Sequence, residues 1–293
     1  MVGKVVIVTG AGGLLGGAVV EAFEKAGATV HGLARADLDI TDAAAVEKVF
    51  TEIEPALVVH PAAMTNVDAC ELEPDKALAV NAQGSHNVAY AASLAGAEIV
   101  AISTDYVFDG TKGDYTESDE TNPIQVYGES KLGGEHSVRE ANERHFIVRS
   151  AWIYGPGGKN FLSKLPGMAG AESINAVIDQ KGSPTFAPDL AEALITLVET
   201  NQSYGVYHVV NSDTCSFADF CRFGLEILGS RARIDEVHVA DLGRPAPRPH
   251  DTSLVAAAWA RGGLKPLRSW RDAARSFLDP FTPPLRSGDG VSA

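Results

Sequence analysis

A tyrosine and a lysine four residues apart have the types and spacing needed for proton chemistry. Tyr127 and Lys131 lie in the run Tyr-Gly-Glu-Ser-Lys, and a spacing of four places both on one face of a helix. The pKa of a free tyrosine is about 10, and a nearby ammonium lowers it. We therefore expect Tyr127 to protonate an alkoxide as hydride reaches a carbonyl carbon. We expect Lys131 to assist it and to hold a nucleotide ribose.

A hydroxyl side chain follows an apolar run earlier in the chain. Residues 99–103 predict a strand, and Thr104 comes directly after them. Ligands of open α/β sheets bind at this carboxyl edge of the strands. Thr104 is therefore a candidate donor of a hydrogen bond to the same carbonyl.

A glycine-rich loop separates the first apolar run from the first helical pattern. Gly10 is expected to allow a tight turn, Gly13 a close approach to a pyrophosphate, and Gly16 close packing of helix on strand. The first helical amides, beginning at Leu14, would point at the phosphates. This strand–loop–helix context predicts a dinucleotide site.

The end of the second strand indicates which dinucleotide is bound. Sites for NAD usually carry an acidic residue there, whereas this chain has Arg35, whose forked donors suit a 2′-phosphate. We therefore favour NADPH as the cofactor, with NADH as an alternative. Asp39 and Ile40 are expected to reach the adenine side.

Alternating strand and helix patterns must position these residues. Strands are predicted at 5–9, 29–33, 57–60, 99–103, 146–149 and 206–210. Helices are predicted at 14–26, 43–53, 75–95, 127–141, 190–200, 217–228 and 270–278. The alternation predicts an α/β fold with a doubly wound parallel sheet of Rossmann type and a smaller C-terminal substrate-binding lobe.

The change of pattern after residue 155 predicts the domain organisation. Residues 1–155 should form the dinucleotide-binding domain, with 187–211 returning to it. Residues 156–186 and 212–279 should form the substrate-binding lobe. The Pro-, Gly- and Ser-rich residues 280–293 are predicted to be a disordered tail.

Composition excludes several classes of partner. The 24 Lys and Arg residues against 38 Asp and Glu give a net charge of −14, which argues against binding nucleic acid or an anionic membrane. Cys70, Cys215 and Cys221 form no disulfide framework and no zinc-site spacing, so we interpret them as buried apolar residues and expect no metal site. With no signal-peptide pattern either, the chain is expected to be cytoplasmic.

Several blocks of the sequence have a distinctive order of residues. Residues 62–71 fit the pattern Ala-Ala-x-Thr-x-Val-Asp-x-x-Glu, and residues 103–110 read Ser-Thr-Asp-Tyr-Val-Phe-Asp-Gly. With these blocks the chain resembles the extended short-chain dehydrogenases/reductases, and within them the dTDP-4-dehydrorhamnose reductase family, whose most distinctive block is the second. Residues 152–161, 179–185 and 248–249 carry further matches. Related 4,6-dehydratases have Thr-Asp-Glu, whereas Tyr106 stands at the third position here. The resemblance therefore implies ketone reduction rather than dehydration.

The resemblance also implies roles for individual residues. The catalytic group would be Thr104, Tyr127 and Lys131. Ala62 and Ala63 would join the cofactor-binding residues named above. The sugar-nucleotide side would be lined by Thr65, Asp105, Trp152 and Arg248.

The implied reaction is NADPH-dependent reduction of the C4 ketone of a nucleotide-linked 6-deoxyhexose, from dTDP-4-dehydro-β-L-rhamnose to dTDP-L-rhamnose. Two alternatives stay open. One is a 4-ketoreductase for another dTDP-deoxysugar, and the other is a non-catalytic subunit similar to the regulatory β subunit of methionine adenosyltransferase. A homodimer is also left open.

Overall fold

A parallel sheet of six strands forms the centre of the molecule. The computed structural model describes residues 1–158 and 160–281. Along the described residues, the strands of the central sheet and of the smaller sheets together are β1 (Val5–Thr9), β2 (Thr29–Leu33), β3 (Leu57–His60), β4 (Glu98–Thr104), β5 (His145–Ser150), β6 (Ile153–Tyr154), β7 (Ser173–Val177), β8 (Lys181–Gly182), β9 (Thr185–Phe186), β10 (Gly205–His208), β11 (Cys215–Ser216) and β12 (Arg233–Val237). The central sheet has the order β10-β5-β4-β3-β1-β2, and every neighbouring pair is parallel.

Helices cover both faces of this sheet. Along the described residues, the helices of the sheet and of the remaining segments together are α1 (Leu14–Lys25), α2 (Ala43–Ile53), α3 (Val67–Leu72), α4 (Pro74–Leu78), α5 (Gly84–Leu94), α6 (Val126–Ala141), α7 (Phe161–Met168), α8 (Ala187–Glu199), α9 (Phe217–Ile227), α10 (Ala257–Arg261) and α11 (Trp270–Leu278). One core cluster joins the sheet to α1 and α8, and a second joins it to α2 and α5. The predicted α/β fold with a doubly wound parallel sheet is confirmed.

The strands form where apolar residues run almost without interruption. All four residues of β3 are buried, as are the last six of β4. Such runs are typical of parallel strands that are covered on both faces. The predicted strands agree with the structure within a residue at each end, except that the last one lies at Gly205–His208 rather than 206–210.

The single helix predicted over 75–95 is wrong in detail. It consists of α4, a π-helical turn at Ala79–Gln83 and α5. The buried side chain of Asn81 lies within the π turn. Its amide oxygen accepts from the Met64 amide at 2.7 Å, and its amide nitrogen donates to the Met64 carbonyl at 3.0 Å. A π turn accommodates one extra residue, and such turns are frequent at functional sites.

Within residues 1–158 and 160–281, the segments outside the central sheet form a separate apolar cluster and three small two-stranded sheets. The cluster contains residues from α7, α9 and α11, with Trp270 fully buried. The small sheets pair β7 with β12, β8 with β11, and β6 with β9. Between these segments, α8 packs on α1, and β10 extends the central sheet beside β5.

The last helical turn, Asp279–Phe281, includes the first two residues of the predicted disordered tail. Residues 282–293 lie outside the described part of the chain. All three cysteines are free and buried, as interpreted. Within residues 1–158 and 160–281, no helix is long and apolar enough to cross a membrane.

Candidate active site

One cleft of about 1230 Å³ lies along the carboxyl edge of the central sheet. The cleft is lined by the loops that follow β1, β2, β3, β4 and β5 and by one face of α6. All predicted site residues but Arg248 line it: Gly10, Gly13, Leu14, Gly16, Arg35, Asp39, Ile40, Ala62, Ala63, Thr65, Thr104, Asp105, Tyr127, Lys131 and Trp152. The strands thus bring together residues that are up to 142 positions apart in the chain.

The glycine loop presents the N-terminus of α1 to this cleft. Gly10 has φ +63°, in the left-handed region, and the Gly13 amide donates to the Gly10 carbonyl at 2.9 Å. A Cβ on Gly16 would lie 2.2 Å from the Gly10 carbonyl oxygen, so only glycine fits there. No side chain caps α1, and its first turn has no acidic residue. Its free amides and helix dipole therefore favour an anion such as a pyrophosphate.

The loop after β2 supplies an exposed cation next to an acid. Arg35 is exposed and lines the cleft. Hydrogen bonds from the Thr41 amide and hydroxyl lower the pKa of Asp39, and the charge of Arg35 lowers it further. Arg35 is available to pair with a phosphate, and Asp39 is an ionised acceptor.

Thr104 and Tyr127 meet where β4 ends and α6 begins. Both side chains line the cleft, and they are close enough for the Thr104 hydroxyl to lower the pKa of Tyr127 in part, against the larger effect of burial, which raises it. A Cβ on Gly128 would lie 2.1 Å from the Tyr106 carbonyl oxygen. The glycine after Tyr127 therefore lets the first turn of α6 dock directly on the backbone that follows Thr104.

The expected effect of Lys131 on Tyr127 is wrong. Burial raises the pKa of Tyr127 above its ordinary value, and the Lys131 ammonium instead donates to the Ile102 carbonyl at 2.7 Å. Tyr127 is therefore a protonated phenol at neutral pH, the form that a proton donor needs. Burial also lowers the pKa of Lys131 to about 8.

His60 is a packed residue at the end of β3. Its ring nitrogens bond the hydroxyls of Thr9 at 2.7 Å and Ser85 at 3.1 Å. Burial lowers the pKa of His60 to about 3, so the ring is neutral. It fixes the spacing between β1, β3 and α5 below the glycine loop.

Asp105 is buried next to Thr104 at the end of β4. Its carboxylate accepts from the Thr104 hydroxyl at 3.0 Å and from the Thr252 hydroxyl. Burial raises the pKa of Asp105 to about 6, although these hydrogen bonds lower it. Asp105 thus orients Thr104 and connects it to the C-terminal part of the chain.

Three residues expected on the substrate side have different environments. Thr65 is exposed in the cleft. Trp152, with φ +44°, lines the cleft and packs edge-on against Phe217 at 5.6 Å. Arg248 does not line the cleft, because its guanidinium donates to Asp68 at 2.9 Å and is 6% exposed.

Tyr106 lines the cleft and buried Asn81 supports its wall, but neither was named as a site residue from the sequence. The amide of Asn81 donates to the Ser130 hydroxyl at 2.9 Å and so holds the loop after β3 against α6. Tyr106 lines the cleft and meets the Tyr127 ring edge-on at 6.0 Å. A polar residue inside an apolar helical pattern was the available signal for Asn81.

A Rossmann-type sheet, a glycine loop on an uncapped helix, and a Thr–Tyr–Lys group on one cleft define the extended short-chain dehydrogenases/reductases. The model of one family within this class, described as the RmlD substrate binding domain, matches residues 4–282. The chain belongs to this family.

Relatives of known name cover almost the whole chain. The dTDP-4-dehydrorhamnose reductase of Streptomyces griseus is 40% identical over 275 residues, which cover 91% of this chain and 90% of the relative. The spore coat polysaccharide biosynthesis protein SpsK of Bacillus subtilis is 40% identical over 276 residues, with 93% and 96% covered. The structure of dTDP-4-dehydrorhamnose reductase from Bacillus anthracis in complex with NADP superposes with a TM-score of 0.92, at 36% identity, covering 96% of this chain and 100% of that one.

Proposed function

We propose that this protein is an NADPH-dependent reductase that converts dTDP-4-dehydro-β-L-rhamnose to dTDP-L-rhamnose. The observation that carries the proposal is the convergence of Thr104, Tyr127 and Lys131 on the cleft that also holds the glycine loop. The family membership and the names of the relatives support the same reaction.

The residues present fit NADPH. The uncapped N-terminus of α1 suits the pyrophosphate, and Arg35 suits the 2′-phosphate. Asp39 and Ile40 would border the adenine, while Ala62, Ala63 and Lys131 would border the nicotinamide side. When bound, NADPH supplies the hydride that reduces the C4 carbonyl carbon.

The side chains of the cleft complete the reduction. On substrate binding the Thr104 hydroxyl, which donates to Asp105 in the structure, would turn its proton to the C4 oxygen. Tyr127 would transfer its phenolic proton to that oxygen as charge develops on it. The raised pKa of Tyr127 keeps this proton in place until then. Lys131, whose ammonium donates to the Ile102 carbonyl, would hold the ribose of the cofactor.

We propose that the nucleotide of the substrate binds towards the C-terminal lobe. Trp152 connects the cleft to that lobe through Phe217, and Thr252 reaches Asp105 from it. Remote binding energy of the nucleotide would hold the ketone in a reactive position, so its loss would lower kcat as well as affinity. The free, buried cysteines suit a reducing compartment, and we propose the cytoplasm.

The test compares the same kind of 4-ketosugar linked to dTDP, linked to UDP and without a nucleotide. Calorimetry should detect dTDP binding, and NADPH oxidation should be rapid with the dTDP-linked 4-ketosugar, slower with UDP-linked 4-ketosugars and absent with the free sugar. Turnover of small free ketones without any dTDP or UDP binding would contradict the proposal.

A further inference from the structure

A buried ion pair joins β4, β5 and α6 behind the catalytic residues. Arg149 Nε and Nη2 donate to the two carboxylate oxygens of Glu135 at 2.8 and 2.7 Å. The Ser103 hydroxyl donates to the same carboxylate at 2.6 Å. The side chains of Glu135 and Arg149 are only 1% and 3% exposed. A bidentate pair of this kind fixes direction as well as charge.

Glu135 continues the row of α6 side chains that contains the catalytic residues. Tyr127, Lys131 and Glu135 follow one another at intervals of four, which places them on one helical face. Each contacts the end of β4. Tyr127 contacts Thr104, Lys131 donates to the Ile102 carbonyl, and Glu135 accepts from Ser103.

The partner of Glu135, Arg149, lies on β5, the strand next to β4. Arg149 is the register partner of Ser103 across β4 and β5, so both reach Glu135 from the same side of the sheet. The Arg149 guanidinium also lies over the Phe108 ring, 5.2 Å from its centroid. The Glu135 carboxylate is therefore held from two adjacent strands while it belongs to the catalytic helix.

We propose that Glu135 is a positioning residue for the reductase reaction: held by Arg149 and Ser103, it fixes α6 against β4 and places a negative charge one helical turn from Lys131. The proposal rests on the function proposed above and assigns no contact between Glu135 and substrate or cofactor.

The charges around Lys131 are consistent with this role. Burial lowers the pKa of Lys131, and the charge of Glu135 raises it. His60 also faces Lys131, from β3, but its own lowered pKa leaves it neutral. Burial raises the pKa of Glu135, yet the hydrogen bonds and charge of Arg149, with help from Arg139, hold it below its ordinary value. Glu135 therefore stays ionised at neutral pH and favours the charged form of Lys131.

The test must separate positioning from simple stabilisation of the fold. Glu135→Gln alone would leave Arg149 buried and unpaired, which destabilises proteins strongly. The double variant Glu135→Gln/Arg149→Met removes both charges and keeps similar volumes. Ser103→Ala keeps the ion pair and removes only the hydrogen bond from β4.

The double variant is expected to lose roughly tenfold or more in kcat, because small misplacements of reacting groups are costly. Its KM for the nucleotide sugar should stay within about threefold of wild type, since Glu135 touches no ligand. The alkaline limb of its kcat/KM profile should move to lower pH, because the charge of Glu135 raises the pKa of Lys131 in the wild-type protein. Ser103→Ala should lower kcat several-fold without moving that limb.

A matched control is available in another part of the chain. Asp189 on α8 accepts a bidentate pair from Arg268 at 2.8 and 2.9 Å, and neither residue belongs to β4 or α6. Asp189→Asn should lower Tm while leaving kcat and the alkaline limb unchanged.

Three results would overturn or redirect the inference. Wild-type kcat and an unmoved alkaline limb in the double variant would show that the ion pair only stabilises the fold. If the double variant does not fold, wild-type kcat in Ser103→Ala would overturn the proposal equally. Absence of turnover by the wild-type enzyme in the same assay would contradict the proposed function instead, so the two failures are distinguishable.

Discussion

Two adjacent glycines in α1 provide a sharp test of how the cofactor loop is built. A Cβ on Gly16 would lie 2.2 Å from the Gly10 carbonyl oxygen and 2.8 Å from Ala11 Cα. A Cβ on Gly17 would have the Ala11 carbonyl oxygen as its nearest neighbour, at 3.7 Å, an ordinary contact. Gly16→Ala and Gly17→Ala are the same chemical change, but they should have opposite effects on the stability of the fold.

The structure sets the magnitudes. In Gly16→Ala the backbone at Gly10 must move by roughly an ångström, and overpacking of this kind costs about 1–3 kcal/mol. The displaced loop carries the amides proposed to bind the pyrophosphate, so NADPH affinity should fall about ten- to a hundredfold, equivalent to ~1.4–2.8 kcal/mol. Gly17→Ala should instead stabilise the exposed helix position by about 0.5–1 kcal/mol.

Denaturant unfolding and calorimetric titration with NADPH measure both effects. The expected order of stability is Gly17→Ala, wild type, Gly16→Ala, and only Gly16→Ala should lose affinity. Equal NADPH dissociation constants for the two variants would refute the close contact between Gly10 and Gly16 as the basis of the cofactor site.

Further predictions concern the cleft itself. Tyr127→Phe should lower kcat by about 10²–10⁴-fold with little change in NADPH affinity, and retention of more than about a tenth of wild-type kcat would rule out Tyr127 as the acid. Arg35→Asp should shift the ratio of kcat/KM from NADPH towards NADH by about ten- to a hundredfold, and an unchanged ratio would reject its role. Because burial raises the pKa of Asp105 from 3.8 to about 6, this group costs wild type up to about 3 kcal/mol of stability as pH rises through that range. The Tm of Asp105→Asn should therefore rise relative to that of wild type as the pH increases from 4 to 7. A Tm difference that stays constant over this range would contradict the raised pKa. Arg248→Ala should reduce kcat/KM for the nucleotide sugar and leave the NADPH dissociation constant unchanged; an equal loss in Asp68→Asn would show that the ion pair, rather than direct contact with substrate, is what matters.

Local patterns were sufficient to predict the sheet and the convergence of most candidate site residues on one cleft. Strands such as β3 are short apolar runs, and the glycines of the first loop stand between a strand pattern and a helix pattern, a context that predicts a tight turn. The carboxyl ends of parallel strands meet at one edge, so residues that follow those strands had to converge. The cleft that contains Thr104, Tyr127 and Lys131 follows from this rule.

Contacts between distant residues were not predictable in the same way. The pKa of Tyr127 depends on how deeply the hydroxyl is buried, and Lys131 has a competing partner in the Ile102 carbonyl. Arg248 pairs with Asp68, which lies 180 positions earlier in the chain, and no local sequence pattern predicts this contact. The π turn around Asn81 likewise depends on the backbone of Met64, which comes from the loop after β3.

The most direct test of the proposed function is product analysis of one reaction. Purified protein, NADPH and dTDP-4-dehydro-β-L-rhamnose should give NADPH oxidation that matches, mole for mole, formation of dTDP-L-rhamnose identified by NMR. Tyr127→Phe should form no detectable product under the same conditions. Failure of the wild-type protein to oxidise NADPH with this substrate, or formation of a sugar other than the L-rhamno product, would contradict the assignment.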